Sequence, residues 1–337
     1  TENDNLAIGY QAMVTNTAGG TLNIAIGNYA LDALTSGDNN TAIGQNTLGA
    51  TTTGGQNTAV GHESMLTNTT GVQNTALGRY SLYTNNADNN VAVGYSAMEG
   101  NTTGARNVAV GVDALKANTT GNESVAVGYH ALLDNTTGSA NVAIGRQALG
   151  NNTTGTENVS VGFNLYTNTT GDFNTAVGFR ALYLNATTDS NTAIGHEALY
   201  NNVAADNTAV GKDALKANTT GANNVAIGRD ALLANTTAAG NTSVGMESMK
   251  SNTTGTLNVA LGFQAMELNT TGSRNIAIGH EAYANSDTES DNIAIGEDAM
   301  TSNTAGGTKN IAIGNYSLDA LTSGDYNVAV GHQALSA

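Results

Sequence analysis

The residues able to bind a metal or transfer a proton follow the last glycine of a repeated five-residue word, Asn-x-Ala-Ile/Val-Gly. We number positions within each repeat from that glycine. Four of the five histidines lie at position +1 and one at +2: His62, His196, His280, His332 and His130. A zinc site needs three or four converging ligands. Histidines spread so far along a regular stack cannot converge within one chain, so we expect no zinc site and no bound cofactor.

Carboxylates recur at position +2, in Glu63, Asp113, Glu197, Asp213, Asp230, Glu247, Glu281 and Asp298. We expect them to form a solvated stripe, because the glycine-aspartate repeat of calcium-binding β-helices is absent. Ice binding is not favoured, because an ice-binding face needs uninterrupted rows of outward threonine and threonine occupies only some of the −3 positions. No nucleophile–base pairing and no phosphate-binding glycine motif is found. The sequence therefore predicts no catalytic residues and no enzyme activity.

Composition restricts the remaining function classes. The 337 residues include 41 glycines, no proline, no cysteine and no tryptophan, and the formal charge is −16. Such a charge argues against nucleic-acid partners, which require a basic footprint. No apolar run approaches the roughly 18 residues of a membrane span. The chain begins directly in repeat sequence, which indicates a mature segment or an excerpt from something longer.

The glycine anchor recurs twenty times, with spacings of 16 to 18 residues, and leaves no stretch outside the pattern. We therefore expect one repeat array over residues 1–337. About seventeen residues are too few for a helical repeat, whereas aliphatic residues alternating at −3 and −1 predict a short strand. The Ala-Leu or Ser-Met word after the glycine predicts a second short strand or an extended edge, and Asn-Thr-Thr-Gly predicts a turn. The fold class predicted is all-β, a parallel β-solenoid of about twenty coils, roughly 90 Å long at about 4.8 Å per coil.

The faces of the predicted strand suggest how copies associate. Positions −3, −1 and +4 are expected to meet inside the coil, leaving −2 outside. Position −2 is alanine in eighteen of twenty repeats. A small, uniform outer row would let another copy approach closely, so we expect this alanine ladder to form an interface between chains. Four of its members are Ala59, Ala76, Ala109 and Ala126.

Position −4 is asparagine in every repeat except Ser124. A turn amide repeated at this spacing predicts a ladder stacked between coils, including Asn57, Asn74, Asn107 and Asn141. The Asn-x-Thr words are acceptors for N-glycosylation in a glycosylating secretory route. Asn118, Asn135 and Asn218 are candidates, although turn chemistry explains these words without sugars.

These words resemble the head repeats of YadA-like trimeric autotransporter adhesins, with a signature close to "NSVAIG". They are still more similar to "NTAIGYQAL…NTTG" repeats of bacteriophage tail-fibre and bacterial surface-fibre proteins. The resemblance covers the whole chain. It implies a left-handed β-roll, a homotrimer, and a role in adhesion or fibre architecture at a cell or virion surface. The coils here are longer than the adhesin-head coils of about fourteen residues.

A longer period is also present. Residues 1–50 align with residues 288–337 without a gap, and 35 of the 50 positions are identical. The offset of 287 residues spans seventeen coils. A duplicated block explains this match and predicts further blocks in tandem, giving an end-to-end filament. A shared requirement of the two ends, such as head-to-tail stacking, is the alternative.

Two function hypotheses follow. The first is a structural segment of an extracellular or virion fibre. The second is an adhesin or receptor-binding module that attaches to cell-surface glycans or receptors through variable residues at +1 and +2. Exposed aromatic rings would serve that purpose, and the candidates are Tyr95, Phe163, Phe179 and Phe263.

Overall fold

The computed structural model describes residues 4–304 and 306–336. The chain divides into two compact units, Thr1–Asp172 and Phe173–Ala337. The strands of the first unit, β1 to β10, are Leu6–Ile8, Ile24–Ile26, Thr41–Ile43, Thr58–Val60, Thr75–Leu77, Val91–Val93, Val108–Val110, Val125–Val127, Val142–Ile144 and Val159–Val161. Those of the second, β11 to β20, are Thr175–Val177, Thr192–Ile194, Thr208–Val210, Val225–Ile227, Thr242–Val244, Val259–Leu261, Ile276–Ile278, Ile293–Ile295, Ile311–Ile313 and Val328–Val330.

Each unit is a parallel β-solenoid. Within a unit every strand pairs with the strand of the next coil, in parallel and in register, so that Val108 lies beside Val125 and Val125 beside Val142. Consecutive coils are about seventeen residues apart, which confirms the predicted all-β fold. The described ranges contain no helix, and therefore none with the length and apolarity needed to cross a membrane.

The anchor glycine is required by both conformation and space. Gly111 has a φ of +139°, a region that side chains with a Cβ rarely adopt. A Cβ built on it would lie 2.4 Å from the carbonyl oxygen of Gly128, the anchor of the next coil. The turn after each strand thus brings backbone against backbone between coils. Only glycine fits there, which explains why the period is read most clearly from this residue.

The segment after the glycine is a turn, and the expectation of a second strand is wrong. Positions +2 and +4 are left-handed without being glycine, with φ of 53° at both Asp113 and Leu115. Such residues carry a steric cost of about 1–2 kcal/mol each. They persist because their amides bond across coils: Asp113 N donates to Tyr95 O at 3.0 Å, and Leu115 N to Ala131 O at 2.9 Å.

The strand faces are reversed relative to the prediction. The alanines at −2 point into the coil, and Ala59, Ala76, Ala109 and Ala126 are all fully buried within the single chain. They therefore cannot form the contact surface between chains. The interior is a thin layer in which this row meets small residues at +3 and Leu or Met at +4. Ala114 and Leu115 are fully buried members of those rows.

Two ladders of buried asparagine hold the coil closed. Asn107 Nδ2 and Asn118 Nδ2 both donate to Gly121 O, at 2.9 and 3.0 Å. Each asparagine also bonds to the preceding coil: Asn107 N donates to Asn90 Oδ1 at 2.9 Å, and Asn118 Nδ2 to Asn101 Oδ1 at 2.7 Å. Because buried polar groups are costly unless paired, these bonds explain why asparagine recurs at −4 and +7.

The −4 residues named from the sequence bond to their neighbours in the same way. Asn74 Nδ2 donates to Asn57 Oδ1 at 3.2 Å. Asn141 N donates to the Ser124 hydroxyl oxygen at 3.2 Å, since serine replaces asparagine at −4 in the preceding coil.

The candidate glycosylation sites belong to the second ladder. Asn118, Asn135 and Asn218 are fully buried, and the Nδ2 of each donates two hydrogen bonds inside the coil. A glycan is attached through that same nitrogen, so the folded coil has no room for one. The structure therefore contradicts glycosylation at these residues, and the turn chemistry of the Asn-Thr-Thr-Gly words accounts for them.

Two coils depart from the core pattern at position +4. In the sixteen-residue coil after Gly162, Leu165 is the buried aliphatic residue, and Tyr166 next to it is only half-buried. In the other coil Tyr283 is itself fully buried. Its hydroxyl accepts hydrogen bonds from Asn292 Nδ2 at 2.6 Å and Asn303 Nδ2 at 3.3 Å. Burial raises the pKa of this phenol far above its usual value, so it stays neutral.

The eighteen-residue coils of the two repeated ends share one irregularity. Gly19 has a φ of +94° and Gly306 a φ of +98°, and a Cβ on either would meet nothing within 4 Å. These glycines are 287 residues apart and lie where the extra residue is accommodated. The long period in the sequence thus corresponds to the same local backbone in both ends.

Candidate functional site

The outer face of the strand column is a largely aliphatic surface, with threonine at −3 in seven of the twenty coils. It consists of positions −3 and −1, which the sequence analysis had placed inside; we call it the aliphatic face. The −1 side chains of Val110, Ile144 and Ile194 remain 37 to 42% exposed. In-register pairing stacks them at the inter-strand spacing of about 4.8 Å. Each unit therefore presents to solvent the side of a parallel sheet that is normally covered.

Polar and charged residues border this face. Position −5 precedes the buried asparagine and carries ion pairs between coils, such as Arg106 Nη2 to Glu123 Oε1 at 2.6 Å and Arg274 Nε to Asp291 Oδ1 at 2.6 Å. An apolar strip with a polar rim is the composition of a protein–protein interface.

The other border is an edge formed by positions +1 and +2, where the candidate binding aromatics lie. Tyr95 and Phe179 are each 47% exposed, Phe263 is 36% exposed, and Phe163 is half-buried. The structure does not gather these four rings into one site. Instead each packs against an aromatic neighbour in its own or an adjacent coil. Phe263, for example, stacks on His280 with ring centroids 5.5 Å apart.

A group of aromatic residues lies in the first unit. Tyr80 contacts Tyr95 and His62 in edge-on arrangements, each with centroids 6.0 Å apart, and the Arg79 guanidinium lies 4.5 Å from the centre of the Tyr80 ring. This aromatic cluster, Tyr80, Tyr95, His62 and Arg79, is a mixed apolar and cationic surface. It offers ring faces of the kind that stack on planar or sugar ligands.

The carboxylates at +2 are partly neutralised, which differs from the solvated stripe expected. In three coils a lysine at +5 reaches back to the carboxylate at +2. Lys116 Nζ, for example, lies 3.0 Å from Asp113 Oδ1, and 3.5 Å from Glu99 Oε2 of the preceding coil. The hydrogen bond that Lys116 donates to Asp113 raises the pKa of Lys116. His130 Nε2 also lies 3.2 Å from Asp113 Oδ2. These contacts tie neighbouring coils together.

A shallow notch opens beside this network, at Gly100, where other coils carry a larger residue. Its volume is about 460 Å³, and Tyr83, Lys116 and Leu133 lie along its walls. The sequence analysis did not anticipate it, although a glycine at +6 among bulky +5 residues is the signal that indicates a gap.

Comparison with known proteins does not indicate a function, so the aliphatic face and its borders are the main guide to function. No protein-family profile matches the chain, and none of the curated protein sequences is significantly similar to it.

Proposed function

We propose that the chain is a structural segment of an extracellular or virion fibre, in which copies associate through the aliphatic face. The single observation that carries this proposal is the row of exposed or half-exposed aliphatic side chains at position −1 on the parallel sheet of each unit. A trimer with left-handed coils follows the resemblance to adhesin heads and tail-fibre repeats, and three sheets facing one axis would cover the face of every chain.

The energetics favour association over many coils. Full burial of one Val, Leu or Ile side chain contributes about 1.5–3 kcal/mol. Thirteen of the twenty coils present two aliphatic side chains, and covering two that are roughly one-third exposed contributes about 1–2 kcal/mol. The other seven coils, with threonine at −3, contribute about half of that. Ten coils then yield about 8–17 kcal/mol, against an association cost of about 4–15 kcal/mol. A short segment would remain monomeric, whereas a long array associates.

The test introduces charge into the aliphatic face. Val110→Glu, Val127→Glu and Ile144→Glu in one chain place three carboxylates in adjacent coils, where burial and mutual repulsion oppose association. The matched control carries Thr120→Glu, Thr137→Glu and Thr154→Glu, at exposed turn positions of the same three coils. Sedimentation should give a trimeric mass for the wild type and the control, and a smaller mass for the first variant. A monomeric wild type would overturn the proposal.

Adhesion is the second candidate, and the aromatic cluster favours it. Exposed rings flanked by a guanidinium fit glycan binding at the outer edge, away from the aliphatic face. Screening the full chain against immobilised glycans, with Tyr80→Ala and Tyr95→Ala together as the comparison, tests this role. Binding that is lost in the double variant supports adhesion, and binding that is absent or unaffected argues against this surface.

A further inference from the structure

Two clusters in the second unit share one design. Each joins a histidine at +1, a glutamate at +2, and an aspartate at +2 of the next coil. The first triad is His196, Glu197 and Asp213, and the second triad is His280, Glu281 and Asp298. In each, one ligand atom per residue lies within 4.8 Å of the others. The histidines themselves lie far apart, so these mixed clusters could not be predicted from histidine spacing alone.

The two triads rest on the same backbone. Asp213 N donates to His196 O at 2.9 Å, and Asp298 N donates to His280 O at 3.0 Å. All four carboxylate residues have left-handed φ values, between 49° and 58°. The triads therefore differ in their surrounding side chains rather than in how the coils position them.

The first triad already holds cations supplied by the chain. Lys216 Nζ lies between its carboxylates, 2.6 Å from Glu197 Oε2 and 3.3 Å from Asp213 Oδ1. Lys212 Nζ lies 3.3 Å from Asp213 Oδ2. The hydrogen bond from Lys216 lowers the pKa of Glu197. Arg180 Nη1 also lies 3.7 Å from Glu197 Oε1, so two lysines and one arginine surround the two carboxylates and this triad is a closed ion-pair network. It also shows that the space between the carboxylates accepts a cation.

The second triad has no such partner. The coil positions of Lys212 and Lys216 are taken by Glu297 and Thr301. Within the described ranges, no lysine or arginine forms an ion pair with Glu281 or Asp298. Glu281, Asp298 and Glu297 together give a formal charge of −3, whereas cationic side chains offset both carboxylates of the first triad. The same backbone thus presents the same ligands with the cation position open.

We propose that His280, Glu281 and Asp298 bind a divalent transition-metal ion of the Zn²⁺ type. An imidazole nitrogen with two carboxylate oxygens supplies three ligands, and water completes the coordination. His280 Nε2 and Glu281 Oε1 are 3.6 Å apart, close to the roughly 3.4 Å between ligands of a tetrahedral zinc ion with bonds of about 2.0–2.1 Å. The imidazole selects against Ca²⁺ and Mg²⁺, which prefer oxygen ligands alone.

Such an ion would act as a clip between two coils. Phe263 stacks on the His280 ring and restricts its orientation. Because the ligands come from adjacent coils, binding requires both coils to be folded, and the ion stabilises the folded array by mass action.

The experiment titrates the full chain with Zn²⁺ in a calorimeter at pH 7.5. We expect one Zn²⁺ site per chain. His280→Ala should lower its affinity more than about tenfold, since even changes to residues that only support a metal ligand lower metal affinity 10- to 100-fold. Thr301→Lys should also abolish the site, by placing an ammonium where Lys216 lies in the first triad. His62 and Glu63 form a similar pair, but Tyr80 stands where the triads have an aspartate. Zn²⁺ binding to this two-ligand pair should be weak and the same in every variant.

A reciprocal change completes the test. Replacing Arg180→Gln, Lys212→Glu and Lys216→Thr gives the first triad the residues that the second triad has at the same coil positions, Gln264, Glu297 and Thr301, and should add a second Zn²⁺ site. Circular dichroism verifies that each variant folds; Asp298→Asn replaces Thr301→Lys if the lysine disturbs the coil. A wild type without a site, a site that survives His280→Ala, or a reciprocal variant with no added site would overturn the proposal.

Discussion

Replacing the anchor glycine tests why the coil has this shape. In Gly111→Ala, the new Cβ must avoid the carbonyl oxygen of Gly128, 2.4 Å away, while the residue keeps a φ of +139°. Backbone strain of this kind costs about 1–3 kcal/mol. Moving the carbonyl to an ordinary contact distance disturbs the cross-coil hydrogen bonds around it, including the 2.8 Å bond from Gly128 N to Val110 O, at about 0.5–1.5 kcal/mol each. We expect a net loss of about 3 kcal/mol.

Substitutions at two other glycines separate the contribution of backbone strain from that of steric crowding. Gly19 has a strained φ of +94° but open space around its Cβ position, so Gly19→Ala measures conformational strain alone. Gly121 lies outside the left-handed region, and its Cβ would lie 2.3 Å from Gly138 O. Gly121→Ala therefore measures crowding alone. The order of destabilisation expected is Gly111, then Gly121, then Gly19.

Hydrogen exchange is the suitable assay, because a repeat array opens locally rather than in one step. A loss of about 3 kcal/mol corresponds to exchange on the order of 100-fold faster, confined to the amides of the coils around β7 and β8. Gly111→Ala exchange no faster than that of Gly19→Ala would refute the argument from close backbone approach.

Three further predictions follow from the same contacts. Ala126→Glu should open its own coil, whereas Val127→Glu should leave the coil folded and weaken association only; hydrogen exchange and sedimentation distinguish the two. Asn118→Leu should speed local exchange more than Thr120→Leu does, because it leaves the carbonyl of Gly121 and the amide oxygen of Asn101 with fewer donors. Glu197 has a lowered folded pKa, so its stabilising contribution is present above its usual value of 4.5 and is lost as pH falls through the folded value. Titration by NMR should show that this pKa rises in Lys216→Ala.

The repeat period and strand register follow directly from the sequence, because the anchor glycine and the −3 to −1 residues recur in one order. The direction of the side chains does not. Large aliphatic residues usually face the core and small residues the surface, which led to the reversed assignment of Ala109 and Val110. The coil is too thin for a column of valine and isoleucine, so alanine fills it instead. Asparagine at −4 shares a strand face with alanine at −2, and its recurrence was the signal that this face is inside.

The site could be predicted in part. Exposed aromatic residues at +1 and +2 were placed correctly on an outer edge, since variable positions after a turn seldom belong to a core. Contacts across coils were harder to foresee. Lys216 and Thr301 lie beside the triads because of how positions in neighbouring coils are oriented toward each other. The left-handed residues at +2 and +4 determine that orientation, and they have no distinctive sequence signature.

The central claim is that copies of the chain cover the aliphatic face, and a single thiol tests it most directly. The chain has no cysteine, so Val127→Cys gives one reporter on the face and Thr137→Cys gives one on an exposed turn of the same coil. We expect the thiol at 127 to be protected from a maleimide reagent in the native protein and to become reactive when Val110→Glu and Ile144→Glu are added. The thiol at 137 should react quickly in both. Equal reactivity of the two thiols in the native protein would contradict the account.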